Sequence, residues 1–204
     1  MPDFSFETGA TDQGYTAIAG VDEVGRGPLC GPVTAAAVIL DPDHIPDGLR
    51  DSKKLTDRKR RFLYAQIMET ATVGVAHATV AEIDDINILR ASHLAMIRAI
   101  ECLPIPADFA LIDGNRAPKN LRIPATCVVK GDDRSLSIAA ASIIAKITRD
   151  DLMLDLDAQF PGYGWAKNAG YPTKEHLVAL KSRGVTPHHR RSFRPVHNIL
   201  YQDE

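Results

Sequence analysis

The apolar positions fall into two kinds of run. Short β-branched or small-residue blocks predict strands at Thr16–Val21, Val33–Leu40, Val73–Val80, Phe109–Ile112 and Thr126–Val129. Between and after them the spacing is helical. Thr56 predicts the cap of a helix over Asp57 to about Thr70, with Phe62, Leu63, Ile67 and Met68 on one side. Ile86–Leu103 predicts a second helix, its apolar face marked by Ile86, Leu89, Leu94, Ile97 and Ile100. A long helix is expected from about Ser135 to Asp157. Its Ile138, Ala141, Ala145 and Leu152 are mostly small and allow close packing on a sheet, and Pro161-Gly162 ends it. A last helix is expected over Lys174–Ser182, and residues 1–15 read as a flexible tail. Two strands joined closely enough to pair antiparallel, followed by strand–helix alternation, predict an α/β fold: a mixed five-stranded sheet with helices on both faces.

Composition narrows the class. The 204 residues are 45% hydrophobic and 25% charged, which fits one compact domain with a small appendage and excludes disorder or coiled coil as whole-chain descriptions. No apolar run approaches the roughly 20 residues of a membrane span, so no membrane contact is expected. The polar, acidic N-terminus predicts no signal peptide. Cys30, Cys102 and Cys127 are odd in number, far apart and set among apolar residues. They predict buried thiols in a reducing, cytoplasmic setting rather than disulfides or zinc ligands.

The formal net charge of −2 hides alternation: residues 49–61 carry seven bases and two acids, and residues 62–113 seven acids and two bases. Three of the expected strands run into acids: Val21 into Asp22-Glu23, Ile112 into Asp113, and Val129 through Lys130-Gly131 into Asp132. A single aspartate at a strand end is commonly a turn residue. Acids at three strand ends favour a site, because ligands of open α/β sheets bind at the carboxyl ends of strands. Clustered carboxylates repel unless cations lie among them, and all-oxygen donors suit Mg²⁺ or Mn²⁺. The turn Gly25-Arg26-Gly27 follows at once and offers close backbone N–H groups to an anion. It also suggests a nucleotide-cofactor protein, but a dinucleotide fingerprint would need glycine where Cys30 stands. A nucleic-acid binding module without catalysis is the other alternative. It would leave the strand-end carboxylates without a role. His77 and His93 are expected to pack. His188 and His189, beside Arg190, Arg191 and Arg194, are expected to pack or touch nucleic-acid backbone rather than hold metal.

DEVGRGP (Asp22–Pro28), DSKKL (Asp51–Leu55), LIDGN (Leu111–Asn115) and VKGD (Val129–Asp132) together resemble ribonuclease HII. SIAAASIIAKITRD (Ser137–Asp150), GYPT (Gly170–Thr173) and HHRRSF (His188–Phe193) fit the same pattern, over about residues 16–194. The resemblance implies a ribonuclease H-like catalytic domain over 16–160 and a C-terminal helical extension over 161–204 that helps bind substrate. It implies a cytoplasmic, metal-dependent endonuclease, using Mn²⁺ or Mg²⁺, that acts on RNA–DNA hybrids and cuts 5′ of ribonucleotides embedded in duplex DNA. A monomer is adequate for that task. Carried over, Asp22, Glu23, Asp113 and Asp132 are the catalytic metal ligands. Gly25, Arg26 and Gly27 recognise the ribonucleotide, and Tyr171 senses the junction with the next deoxynucleotide. Apart from the resemblance, Lys53 and Lys54 are candidate phosphate contacts or part of a solvated basic face. Asp132 is preferred to its neighbour Asp133 because it follows Lys-Gly. One departure is Ala169, where many members carry lysine before the Gly-Tyr pair.

Overall fold

The computed structural model describes residues 1–201. Five strands form one mixed sheet: β1 (Ile18–Val24), β2 (Val33–Ile39), β3 (Thr72–Ala78), β4 (Phe109–Asp113) and β5 (Ala125–Val128). Their spatial order is β3-β2-β1-β4-β5, with the β1/β2 and β2/β3 pairs antiparallel and the β1/β4 and β4/β5 pairs parallel. β1 is therefore the central strand, and it runs the same way as β4 and β5. The helices are α1 (Ser5–Thr11), α2 (Asp57–Thr70), α3 (Val80–Ile86), α4 (Ile88–Glu101), α5 (Leu136–Gln159), α6 (Trp165–Asn168), α7 (Lys174–Arg183) and α8 (Arg194–Tyr201). None of them is long and apolar enough to cross a membrane.

Each face of the sheet packs on a helix chosen by residue size. On one face Ala19, Val21, Ala35 and Ala37 meet Ala91, Ala95, Met96 and Ala99 of α4. On the other, Ala36 and Val38 meet the alanine run of α5 and Leu63 and Ile67 of α2. Close approach is extreme at Gly20, where an added Cβ would lie 2.1 Å from the backbone carbon of Ser137. Only glycine lets the start of α5 rest on β1. α6–α8 wrap the far half of α5 around the fully buried Trp165, joined by Leu29, Cys30, Met153 and Leu180.

Several expectations are corrected. The stretch expected to be a flexible tail contains α1, anchored by the buried Glu7. Glu7 Oε1 accepts from Ser137 N at 2.9 Å and from the hydroxyls of Ser135 and Ser137, which places a carboxylate at the N-terminus of α5. The helix expected over 86–103 is α4, but it starts at Ile88, and Ile86 ends the separate helix α3, which was not expected. Asn87 takes φ +68° and its side chain accepts from Leu89 N and Arg90 N, so it caps α4 and breaks the run. Phe62 and Met68 of α2 face solvent, leaving Leu63 and Ile67 as its buried pair. Cys30 is buried as expected, but Cys127 is half-buried and Cys102 exposed.

Candidate active site

The acids gather where parallel pairing ends. β1 continues to pair with β2 as far as Val24 against Thr34, but its register with β4 stops at Val21 against Ile112. Beyond that pair the two neighbouring strands carry Asp22 and Asp113. Alternation along the strands puts both on the α5 side, and turns Glu23 to the α4 side. Asp132 arrives on the 3₁₀ turn Gly131–Asp133 that follows β5. That turn is tied to β4, because Gly131 N donates to Asp113 Oδ1 at 2.7 Å. A Cβ at Gly131 would lie 2.6 Å from Ile138 Cδ1 and 3.2 Å from Asp113 Oδ1, so a larger residue would press on both.

The electrostatics mark this edge as unusual. Asp22 is 8% exposed. Burial pushes its carboxyl well above the usual range, and Glu23, Asp113 and Asp132 push it further. Burial also raises Glu23, against the opposing guanidinium of Arg26 at 3.1 Å. Asp132 is pushed up to about 6 by burial, with Asp113 and Asp51 adding to it and Lys53 opposing. Glu23 Oε2 is buried without a hydrogen-bond partner among the described residues. A buried, orphaned carboxylate oxygen in a set of like charges is what a divalent cation would complete, and the hard oxygen donors suit Mg²⁺ or Mn²⁺.

A more compact group of metal-type ligands lies elsewhere: Cys30, His176 and His189, with ligand atoms within 4.8 Å of one another. Its donors are already engaged. Trp165 Nε1 donates to His176 Nε2 at 3.0 Å, so that lone pair is occupied. His176 Nδ1 then donates to the Tyr171 carbonyl at 2.9 Å, and His189 Nε2 lies 3.2 Å from His176 Nε2. Burial pushes the Cys30 thiol up to about 12, which keeps it protonated. The carboxylate edge is the better metal site.

The other expected site residues surround this edge. Lys53 lies close enough to Asp22, Asp51 and Asp132 that their charges outweigh its burial and raise its pKa. Lys54 instead pairs with Asp133, which directs that acid away from the cluster and favours Asp132 as the ligand. Gly25 takes φ +93°, open to glycine but not readily to other residues. Tyr171 is half exposed and covers the turn: a Cβ on Gly27 would sit 3.2 Å from its ring. Ala169 takes φ +47°, and its carbonyl is held by Arg149 at 2.9 Å, so the backbone of this position is fixed without a long side chain.

The structure adds residues that sequence reasoning left out. A pocket of about 290 Å³ opens beside the acids, lined by Glu23, Arg26, His93, Asp113, Asn115 and Arg116 among others. Asn115 and Arg116 follow Asp113 across the single Gly114, and that closeness in sequence is a usable signal. His93, expected to pack in its helix, forms part of the pocket wall, where burial and then Arg26 and Arg116 hold its pKa down. His77 lies in the sheet, 2.9 Å from Thr34 Oγ1, as a packing residue would.

Residues 19–196 match the family model described as Ribonuclease HII. The chain belongs to the ribonuclease HII family. A curated ribonuclease HII from Ruegeria sp. (strain TM1040) is 65% identical over 202 residues, covering 99% of this chain and 88% of the relative. Among solved structures, ribonuclease H2 from Pyrococcus horikoshii OT3 superposes with a TM-score of 0.74 at 26% identity, covering 92% of this chain and 98% of that one. Bst-RNase HIII in complex with Mn²⁺ shares the fold, with a TM-score of 0.69 at 22% identity over 92% of this chain and 70% of that one. Family membership makes this chain a metal-dependent ribonuclease acting on the RNA strand of RNA–DNA hybrids, and the five-stranded mixed sheet is the ribonuclease H fold.

Proposed function

We propose that this ribonuclease also cuts 5′ of single ribonucleotides embedded in duplex DNA, leaving a 3′-hydroxyl and a 5′-phosphate, and that the four converging acids carry the chemistry. The observation that supports this reading is the buried, unpartnered Glu23 Oε2 among Asp22, Asp113 and Asp132. Asp22, Glu23, Asp113 and Asp132 would hold two Mg²⁺ or Mn²⁺ ions. When bound, such ions activate a water in line with the scissile phosphorus and neutralise the departing 3′-oxygen. Asp22 feels all three other acids and is the ligand suited to be shared.

The remaining residues select and hold substrate. Gly25, Arg26 and Gly27 bring backbone N–H groups and a guanidinium within reach of a ribose 2′-hydroxyl and its phosphate, the group that distinguishes RNA from DNA. Tyr171, lying over Gly27, packs against the sugar at the ribo–deoxy junction. Lys53 contacts a phosphate next to the acids. The enzyme works as a monomer.

The test is a DNA duplex carrying one ribonucleotide, offered with Mg²⁺ or Mn²⁺ to the wild type and to Asp22→Asn. The expected result is a single cut 5′ of the ribonucleotide by the wild type and none by the variant. No cut under either metal, or an active variant, overturns the reading.

A further inference from the structure

Two arginines lie fully inside the protein behind the glycine turn. Arg149 of α5 is 1% exposed and Arg190 is 0% exposed. Among the described residues neither forms an ion pair with a carboxylate. Burying a lone guanidinium is costly unless its donors are all used. Here all five donors of Arg190, and one on each nitrogen of Arg149, are used on backbone carbonyls. Arg190 donates to Gly25 O at 2.6 Å, Arg26 O at 3.0 Å, Pro28 O at 2.8 Å and Gly31 O at 2.8 and 3.0 Å. Arg149 donates to Pro32 O at 3.0 Å, Cys30 O at 3.1 Å and Ala169 O at 2.9 Å. The fork of each guanidinium thus gathers one side of the loop from Gly25 to Pro32, and Arg149 links it to the segment that carries Tyr171.

Three further observations converge on the same unit. Leu29 N donates to Gly170 O at 2.8 Å, a direct tie between the two segments. His176 fixes the Tyr171 carbonyl, and is itself fixed by Trp165. On the other side of the loop, the N–H groups of Gly25, Arg26 and Gly27 donate to no backbone group among the described residues. The carbonyls are held inside while these donors stay available. The glycine at 25 is explained as well, since an added Cβ would lie 2.1 Å from Arg149 Nε. The electrostatic strain of the arrangement is visible in Arg190, whose pKa burial, joined by the like charge of Arg149, lowers to about 9.

We propose that Arg149 and Arg190 are positioning residues that lock the Gly25–Gly27 turn against Tyr171, so that the free N–H groups and the tyrosine ring meet the same nucleotide and set the preference for a ribonucleotide within DNA. This rests on the reading above that the turn and Tyr171 contact the ribonucleotide. A lysine keeps the positive charge but presents a point donor, which cannot bridge several carbonyls in one plane. A long hybrid offers ribose at every register, whereas a single ribonucleotide must meet the turn in one register. Loosening the turn therefore costs the single-ribonucleotide reaction more.

The experiment compares wild type, Arg190→Lys and Arg149→Lys on two substrates, a duplex with one ribonucleotide and a long RNA–DNA hybrid. Thermal unfolding with and without Mn²⁺ is followed in parallel. The expected result is a kcat/KM reduced about 100-fold on the single ribonucleotide, the scale of an ångström-sized misplacement. The loss on the hybrid is at least about tenfold smaller, and Mn²⁺ still stabilises the variants because the acids do not depend on the clamp. If Arg190→Lys does not fold, Arg149→Lys carries the test, since its three carbonyls include the link to Ala169. Equal losses on the two substrates, or losses matched by a lost response to Mn²⁺, overturn the proposal. A wild type that cuts the hybrid but leaves the single ribonucleotide intact overturns the substrate reading itself, and is told apart by appearing before any substitution.

Discussion

Two groups of like charge, a buried pair of arginines and a half-buried set of acids around the buried Asp22, lie within one loop of each other, and they are completed differently. Arg149 and Arg190 sit together without a carboxylate, yet each nitrogen of their guanidinium groups donates to at least one backbone carbonyl. Asp22, Glu23, Asp113 and Asp132 sit together with only Arg26 and Lys53 opposing, and Glu23 Oε2 meets nothing among the described residues. The cationic pair is finished by the fold, while the anionic set waits for cations. A protein that retains an unfinished charge cluster does so at a cost in stability, and such costs concentrate at functional sites. The comparison separates the part of the site that does chemistry from the part that holds it in shape.

The strongest way to break this contrast is at Asp22. Asp22→Asn removes one charge from the crowded set. Cleavage is expected to fall by at least about 1,000-fold, since an electrostatic element of the reaction is lost. The metal-free protein is expected to unfold at a higher temperature than wild type, by roughly 2–4 °C for each kcal/mol of relieved repulsion. A variant that lost activity and stability together would place Asp22 among ordinary structural acids.

Gly25→Ala strikes the other group. With φ at +93° and Arg149 Nε 2.1 Å from the new Cβ, both the backbone and the clamp must shift. A loss of about 1–3 kcal/mol in unfolding free energy is expected, together with a reduced rate on ribonucleotide-containing duplex. Denaturant unfolding and steady-state cleavage measure the two.

The histidines behind Tyr171 give a smaller, pH-dependent signal. Burial, with His176 and His188 adding, lowers His189 from 6.5 to about 4. The unfolded chain therefore binds a proton that the folded chain refuses between those values. Stability from this group is complete above pH 6.5 and is lost as pH falls toward 4. Tm of the metal-free protein should drop over that window, and less steeply in His189→Asn. An equal slope in both would remove His189 from the account.

The smallest effect is expected at Asp133, which pairs with Lys54 and leaves the cluster to Asp132. Asp133→Asn should change kcat/KM by no more than about threefold, as expected for an exposed ion pair. A loss comparable to that of Asp132→Asn would exchange their roles.

The two groups also differed in how well they could be read from sequence. Asp22, Asp113 and Asp132 each follow an apolar run, so strand ends and acids coincide in the string of letters. Convergence then required only that β1, β4 and β5 run parallel, which the sheet order supplies. The roles given to Gly25–Gly27 and Tyr171 came from family resemblance, because a half-exposed tyrosine has no signature of its own. The arginine clamp was invisible. Its partners are backbone carbonyls up to 165 residues away, and carbonyls leave no mark on composition or spacing. Glu7 was hidden for the same reason, with its serine partners about 130 residues further along. Asn87 was missed because apolar Ile86 and Ile88 continue the helical period through a residue whose backbone is left-handed.

The most direct test of the unfinished acid cluster is thermal unfolding of wild type and Asp22→Asn with and without Mn²⁺. At about a hundredfold excess over Kd, binding to the native state alone contributes about 2.7 kcal/mol. For a chain of this length that is a rise of roughly 5–10 °C. The wild type is expected to show that rise and Asp22→Asn to lose most of it. A wild type indifferent to Mn²⁺, or a variant stabilised to the same degree, would contradict the assignment of these four acids to cations.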